Sequence, residues 1–122
     1  MSIRTERVAR LIQREVAQLL QRDFSQQLPS MVTVTGARVT KDLSIAYIYV
    51  SIFGASAEKR KVVFRHLEEL TPSIRGSLGR RIRHQLKSVP ELRFFLDDTL
   101  EEARKMDDLF DRIRAERDDK AE

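Results

Sequence analysis

The chain has no cysteine among its 122 residues. That excludes a disulfide scaffold, thiolate zinc sites and a cysteine nucleophile, and it suits the cytoplasm. No apolar run approaches the roughly 18 residues that a membrane span needs, so no membrane partner is expected. The opening residues, MSIRTERVARLIQ, carry charges inside their apolar pattern, which is not the pattern of a secretory signal. His66 and His84 are the only two histidines, and they lack metal-ligand spacing. There is no phosphate-loop lysine pattern, no internal repeat and no low-complexity segment. An enzyme, a metal and a cofactor are therefore not expected. The most telling absence is local. Residues 73–90 contain no acidic side chain, yet hold Arg75, Arg80, Arg81, Arg83 and Lys87. Solvated faces usually mix both signs, so a one-signed run points to phosphate.

The charge is split along the chain. The net charge of +4 divides into 16 Lys+Arg against 7 Asp+Glu over residues 1–90, and 7 against 12 over residues 91–122. A basic body suggests an RNA or DNA partner, and the acidic end cannot share that contact surface without moving aside. The length suits one domain with one modest core. We place that domain at residues 1–114, followed by a charged tail at 115–122 that is expected to fray.

Hydrophobic periodicity gives the elements. Val8, Leu11, Ile12, Val16, Leu19 and Leu20 recur at helical spacing, predicting a helix over about 5–23. Arg7, Arg10 and Arg14, flanked by Arg4, share a neighbouring face of it. They read as a second phosphate-facing stripe or as ordinary solubility, since Glu6 and Glu15 lie close by. Two strands follow. In 32–40, Val32, Val34 and Gly36 take one face, with Thr33, Thr35 and Ala37 on the other. In 43–53, Tyr47 and Tyr49 lie opposite Ile48, Val50 and Ile52. The polar turn at 40–43 predicts an antiparallel hairpin. The tyrosines could stack bases, although strand tyrosines more often only cover a half-exposed sheet.

Ser56 is a candidate cap for a helix reaching about Leu70. Thr71-Pro72 then predicts a break, with Thr71 capping a second helix and Pro72 as its first residue. In that second helix Ile74, Leu78, Ile82 and Leu86 form an apolar stripe, with Arg80, Arg83 and Lys87 opposite. Val89-Pro90 stops it. Leu92, Phe94 and Leu96 alternate with Arg93, Phe95 and Asp97 as a third strand. Thr99 and Glu102 form a capping box for a last amphipathic helix, and Asp97-Asp98 suit its N-terminal dipole better than paired catalysis.

The expected fold is therefore α+β, in the order helix, strand, strand, helix, helix, strand, helix. A three-stranded sheet carries helices on one face. This is the order of a type II KH domain, but Gly76-Ser77-Leu78-Gly79 is not read as its GxxG clamp. Leu78 belongs to the apolar stripe, so the clamp position is already taken by the core.

Three stretches carry a closer resemblance: RTERVARLIQREVAQLL, VTVTGARVTKDLSIAYIYVSIFG, and SIRGSLGRRIR with VPELRFFLDDTLEEARKMDDL. Together they resemble the ribosome-binding factor A family of bacterial small-subunit assembly factors over about residues 3–113. That family has a KH-like fold without GxxG and an Ala-x-Gly at the interhelical bend. Leu70-Thr71-Pro72 stands there instead, so Pro72 is expected to make the bend in another way. The resemblance implies a cytoplasmic, non-catalytic monomer that binds immature 30S subunits through 16S rRNA and assists late maturation of that RNA. It also implies that the first helix and the helix after the bend face RNA. The candidate RNA-binding residues are then Arg4, Arg7, Arg10, Arg14, Arg75, Arg80, Arg81, Arg83 and Lys87. Two other readings fit the charge: a general KH-like module for single-stranded nucleic acid, and a basic adaptor that docks an acidic protein.

Overall fold

The computed structural model describes residues 3–97. Their order is α1 (Ile3–Arg22), β1 (Val32–Val39), β2 (Ile45–Ile52), α2 (Ala57–Ile82) and β3 (Glu91–Leu96). The helix expected from Thr99 and the tail at 115–122 lie outside the described residues. The apolar stripe of α1 is buried as its spacing requires, with Ile12, Val16 and Leu19 fully enclosed. Beyond it, buried Phe24 and Leu28 pin a short 3-10 turn at Ser25–Gln27 and lead the chain into β1.

The sheet order is β1-β2-β3. β1 and β2 pair antiparallel, as the hairpin predicts, and β3 adds to β2 in parallel. A parallel neighbour needs a crossover, and α2 is that crossover. Along β2, burial alternates strictly: Ala46, Ile48, Val50 and Ile52 face the helices, while Tyr47 and Tyr49 face away. β1 departs from simple alternation. A bulge between Val34 and Gly36 leaves Thr35 unpaired, so Gly36 meets Tyr49 and Ala37 meets buried Ile48. The expected grouping of Gly36 with Val32 and Val34 is corrected accordingly. One extra residue in a strand exchanges its faces, and a period-2 reading cannot see it.

The hairpin is closed by side chains. Asp42 accepts hydrogen bonds from Ser44 Oγ (2.7 Å), Thr40 Oγ1 (2.7 Å) and Ser44 N (3.1 Å), and Leu43 takes φ 62°. Those three donors hold the Asp42 carboxyl at about 2, below its ordinary 3.8. A depressed carboxyl pKa contributes stability that is complete above pH 3.8 and is lost as pH falls through about 2. The expected NMR titration therefore has an Asp42 midpoint near 2 that moves part of the way back toward 3.8 in Ser44→Ala, where Thr40 Oγ1 and the backbone N of residue 44 still donate. An unchanged midpoint in that variant would remove Ser44 as the main cause.

The largest correction concerns Thr71 and Pro72. There is no second helix start: both residues lie inside the continuous α2. Ser56 does cap α2, accepting from Lys59 N at 3.2 Å. Thr71 caps nothing; its hydroxyl donates to Leu67 O at 3.2 Å. The reason lies in burial. Val63, Leu67, Ile74, Leu78 and Ile82 are all fully enclosed, and they form one stripe that keeps phase across the proline. Each such side chain stabilises by roughly 1.5–3 kcal/mol when buried. Together they outweigh the roughly 3 kcal/mol that an interior proline costs. Pro72 itself is exposed, so Pro72→Ala is expected to stabilise the fold by roughly 1–3 kcal/mol in a denaturant melt. A destabilised variant would show that the proline shapes α2 favourably.

Candidate nucleic-acid interface

α2 ends at Ile82 rather than running through Leu86. Gln85 N and Leu86 N both donate back to Ile82 O, turning the chain tightly. Leu86 still packs against the core, but Arg83 and Lys87 are carried by the end of the helix and the turn, not by a helical face. This turn comes against α1. Arg7, Arg10 and Arg14 of α1 line a hollow of about 390 Å³ together with Val8, Leu11, Gln85 and Leu86. The two basic stretches of the sequence therefore meet in space. The spacing of 7, 10 and 14 keeps these three arginines on one side of α1, one turn on from exposed Arg4.

Not every arginine of the 73–90 run is free to meet a ligand. Arg81 Nε lies 2.8 Å from Glu15 Oε2, and its guanidinium donates to Gln18 Oε1 at 2.6 Å. It clasps α2 to α1. Arg75 donates to Val89 O at 2.7 Å and to Pro90 O at 3.0 Å, which fixes the entry to β3. These bonds give Arg75 and Arg81 structural work that residue type and spacing did not reveal. Among the described residues Arg80 bonds only to Ser77 Oγ of its own helix, at 3.0 Å. Arg14 Nε stands 3.6 Å from Glu15 Oε1, a longer contact than the one Arg81 makes with the same carboxylate. Arg4, Arg7, Arg10, Arg83 and Lys87 are exposed and enter no ion pair among the described residues.

The arrangement offers a point-charge surface for phosphate. Among the described residues no group of three or more His, Cys, Asp and Glu could hold a metal ion. No helix among them is long and apolar enough to cross a membrane. Gly76 and Gly79 lie inside α2 with Leu78 buried between them, so the GxxG string is helix and core. A second cluster emerges only in three dimensions. Phe95 joins Tyr47 and Tyr49 on the face of the sheet away from the helices, beside Arg38 and Lys41. Strand alternation already placed Phe95 opposite Phe94; only the parallel pairing of β3 with β2 brings it to the tyrosines.

A family model described as ribosome-binding factor A matches residues 4–110. Among relatives of that name, the Chlorobaculum tepidum protein is 38% identical over 119 residues, covering 98% of both chains. The Chlorobium luteolum protein is 40% identical over 121 residues, covering 99% of this chain and 100% of its own. The crystal structure of ribosome-binding factor A from Thermus thermophilus superposes with TM-score 0.62 at 22% identity, covering 75% of this chain and 94% of that one. A homology model of Thermus thermophilus ribosome-binding factor A, as fitted into the cryo-EM map of a 30S complex, superposes with TM-score 0.57 at 25% identity, covering 72% of this chain and 89% of that one. The architecture is α+β and KH-like, with the two central helices of the expected order joined into α2.

Proposed function

The chain belongs to the ribosome-binding factor A family, and from that premise we propose that it is a non-catalytic assembly factor acting in the cytoplasm. It binds the immature 30S subunit through 16S rRNA and assists late maturation of that RNA. The observation that carries this reading at residue level is the meeting of Arg7, Arg10 and Arg14 with the turn that bears Arg83 and Lys87. Such a surface contacts phosphates and positions the protein without reading bases, so RNA shape must select the site. The Thermus coordinates fitted to a 30S complex support the same partner.

The test is co-sedimentation of the full chain with purified 30S particles, with and without nuclease. Binding is expected to weaken steeply with salt, because each phosphate contact releases condensed counterions. Nuclease is expected to release the protein. Nuclease-resistant binding would point to a ribosomal protein as the partner, and a preference for free single strands over 30S particles would favour a general nucleic-acid module.

A further inference from the structure

On the face of the sheet opposite α1 and α2, three rings lie side by side. Tyr47 and Tyr49 stand two residues apart on central β2, and Phe95 is the register partner of Tyr49 on β3. The Phe95 ring centroid is 5.7 Å from that of Tyr47 and 6.0 Å from that of Tyr49, at interplanar angles of 37° and 31°. The rings therefore form a shallow fan, and Phe95 is 44% exposed. On the other flank Tyr49 faces Gly36, whose missing side chain leaves that edge uncovered.

Two cations border the rings. Arg38 and Lys41 line the same hollow, of about 450 Å³, and neither enters an ion pair among the described residues. The carboxylates on this face of β3 are engaged: Glu91 with Arg93 at 3.3 Å, and Asp97 with Thr35 Oγ1 at 2.7 Å. Exposed Thr33 and Thr35 and half-buried Ser51 continue this face toward exposed Met31 and Phe53, and half-buried Ile45 lies on the other side of Tyr47. At the hollow itself the apolar surface is mainly the three rings, with Val39 at its edge. That suits flat bases better than the broad stripe of a docking helix.

We propose that this face is a stacking platform for single-stranded RNA, with bases on Tyr47, Tyr49 and Phe95 and backbone phosphates against Arg38 and Lys41. The proposal rests on the RNA-binding reading above and gives the protein a second contact surface, across the sheet from the arginines of α1. Stacking tolerates any base, so this surface holds a strand without selecting its sequence.

The chain has two tyrosines and no tryptophan, so its tyrosine ring resonances report this face alone. The experiment adds a short oligouridylate to the full chain and follows those rings by NMR, with 30S co-sedimentation in parallel. Both tyrosines and Phe95 are expected to shift. The pair Tyr47→Leu and Tyr49→Leu keeps an apolar cover but removes the π faces; affinity is expected to fall about tenfold per ring. Tyr47→Phe with Tyr49→Phe is expected to bind like the parent. Arg38→Glu with Lys41→Glu, which leaves the rings in place, is expected to weaken binding and its salt dependence together. Rings unmoved by oligouridylate, in a chain that still sediments with 30S, overturn this proposal and leave the assembly reading standing. A chain that does neither overturns the assembly reading itself. A leucine pair that loses 30S but keeps its oligouridylate affinity gives the face to a ribosomal protein and also overturns stacking.

Discussion

A chain carrying Arg7→Glu, Arg10→Glu, Arg83→Glu and Lys87→Glu is expected to melt like the parent and to lose 30S association. The four side chains are exposed and form no ion pair among the described residues, so folding does not depend on them. Two lie in the α1 hollow and two on the turn beside it. A contact between unit charges in water is worth about 1 kcal/mol, so losing four weakens binding roughly a thousandfold before any repulsion is added. The salt slope should fall by about 3, following the single-strand factor of about 0.7 per phosphate. The measurement is sedimentation with 30S across a salt series, beside a thermal melt. Parental affinity in a folded variant would remove this face from the mechanism and bring the acidic-partner reading forward.

Arg81→Ala separates structure from contact in the same stretch. Its guanidinium joins Glu15 and Gln18 across two helices, so removal loosens α1 from α2. That loss reaches 30S affinity only through folding. Composition could not distinguish Arg81 from Arg80, its neighbour in sequence. The difference is one helical step, about 100°, which turns one guanidinium toward α1 and the other toward solvent. Arg75 is a similar case: its partners, Val89 O and Pro90 O, are backbone atoms brought near only by the return of the chain. The charge run was legible in the sequence; its division into clasps and free cations was not.

Local structure was legible where one rule acted alone. The α1 stripe, the alternation of β2 and β3, and the Ser56 cap follow directly from spacing and residue type. Reading failed where two rules competed. At Pro72 the local rule says break, while the spacing of Leu67 and Ile74, seven residues apart, says that one helix continues. Both positions are plain in the sequence, and their shared phase was the available signal. The β1 bulge had no such signal, because Thr35 fits either face until the register of β2 is known. The aromatic platform needed tertiary pairing as well, since Phe95 is remote in sequence from both tyrosines.

Leu78→Ala is expected to destabilise the protein by about 2–5 kcal/mol, a large share of the roughly 5–15 kcal/mol that holds a domain together. Leu78 is fully enclosed and sits in the same core cluster as Ile12, Ile48 and Ile74, so truncation leaves a cavity. In a GxxG clamp the two middle residues are exposed, and both glycines let the backbone approach a ligand. Here the glycines behave differently from each other. A Cβ at Gly76 meets nothing closer than Arg80 Nη1 at 3.9 Å, so Gly76→Ala should stabilise the helix by roughly 0.5–1 kcal/mol. A Cβ at Gly79 would stand 3.0 Å from Val89 Cγ2, so in Gly79→Ala the Val89 side chain must give by a few tenths of an ångström. A denaturant series on the three variants is therefore expected to rank Gly76→Ala above the parent and Leu78→Ala last. At temperatures where all are folded, 30S affinity should be equal among parent, Gly76→Ala and Leu78→Ala. A Gly76→Ala chain that is stable but no longer binds would restore the clamp reading, because only a ligand lying on that backbone would notice one added methyl group.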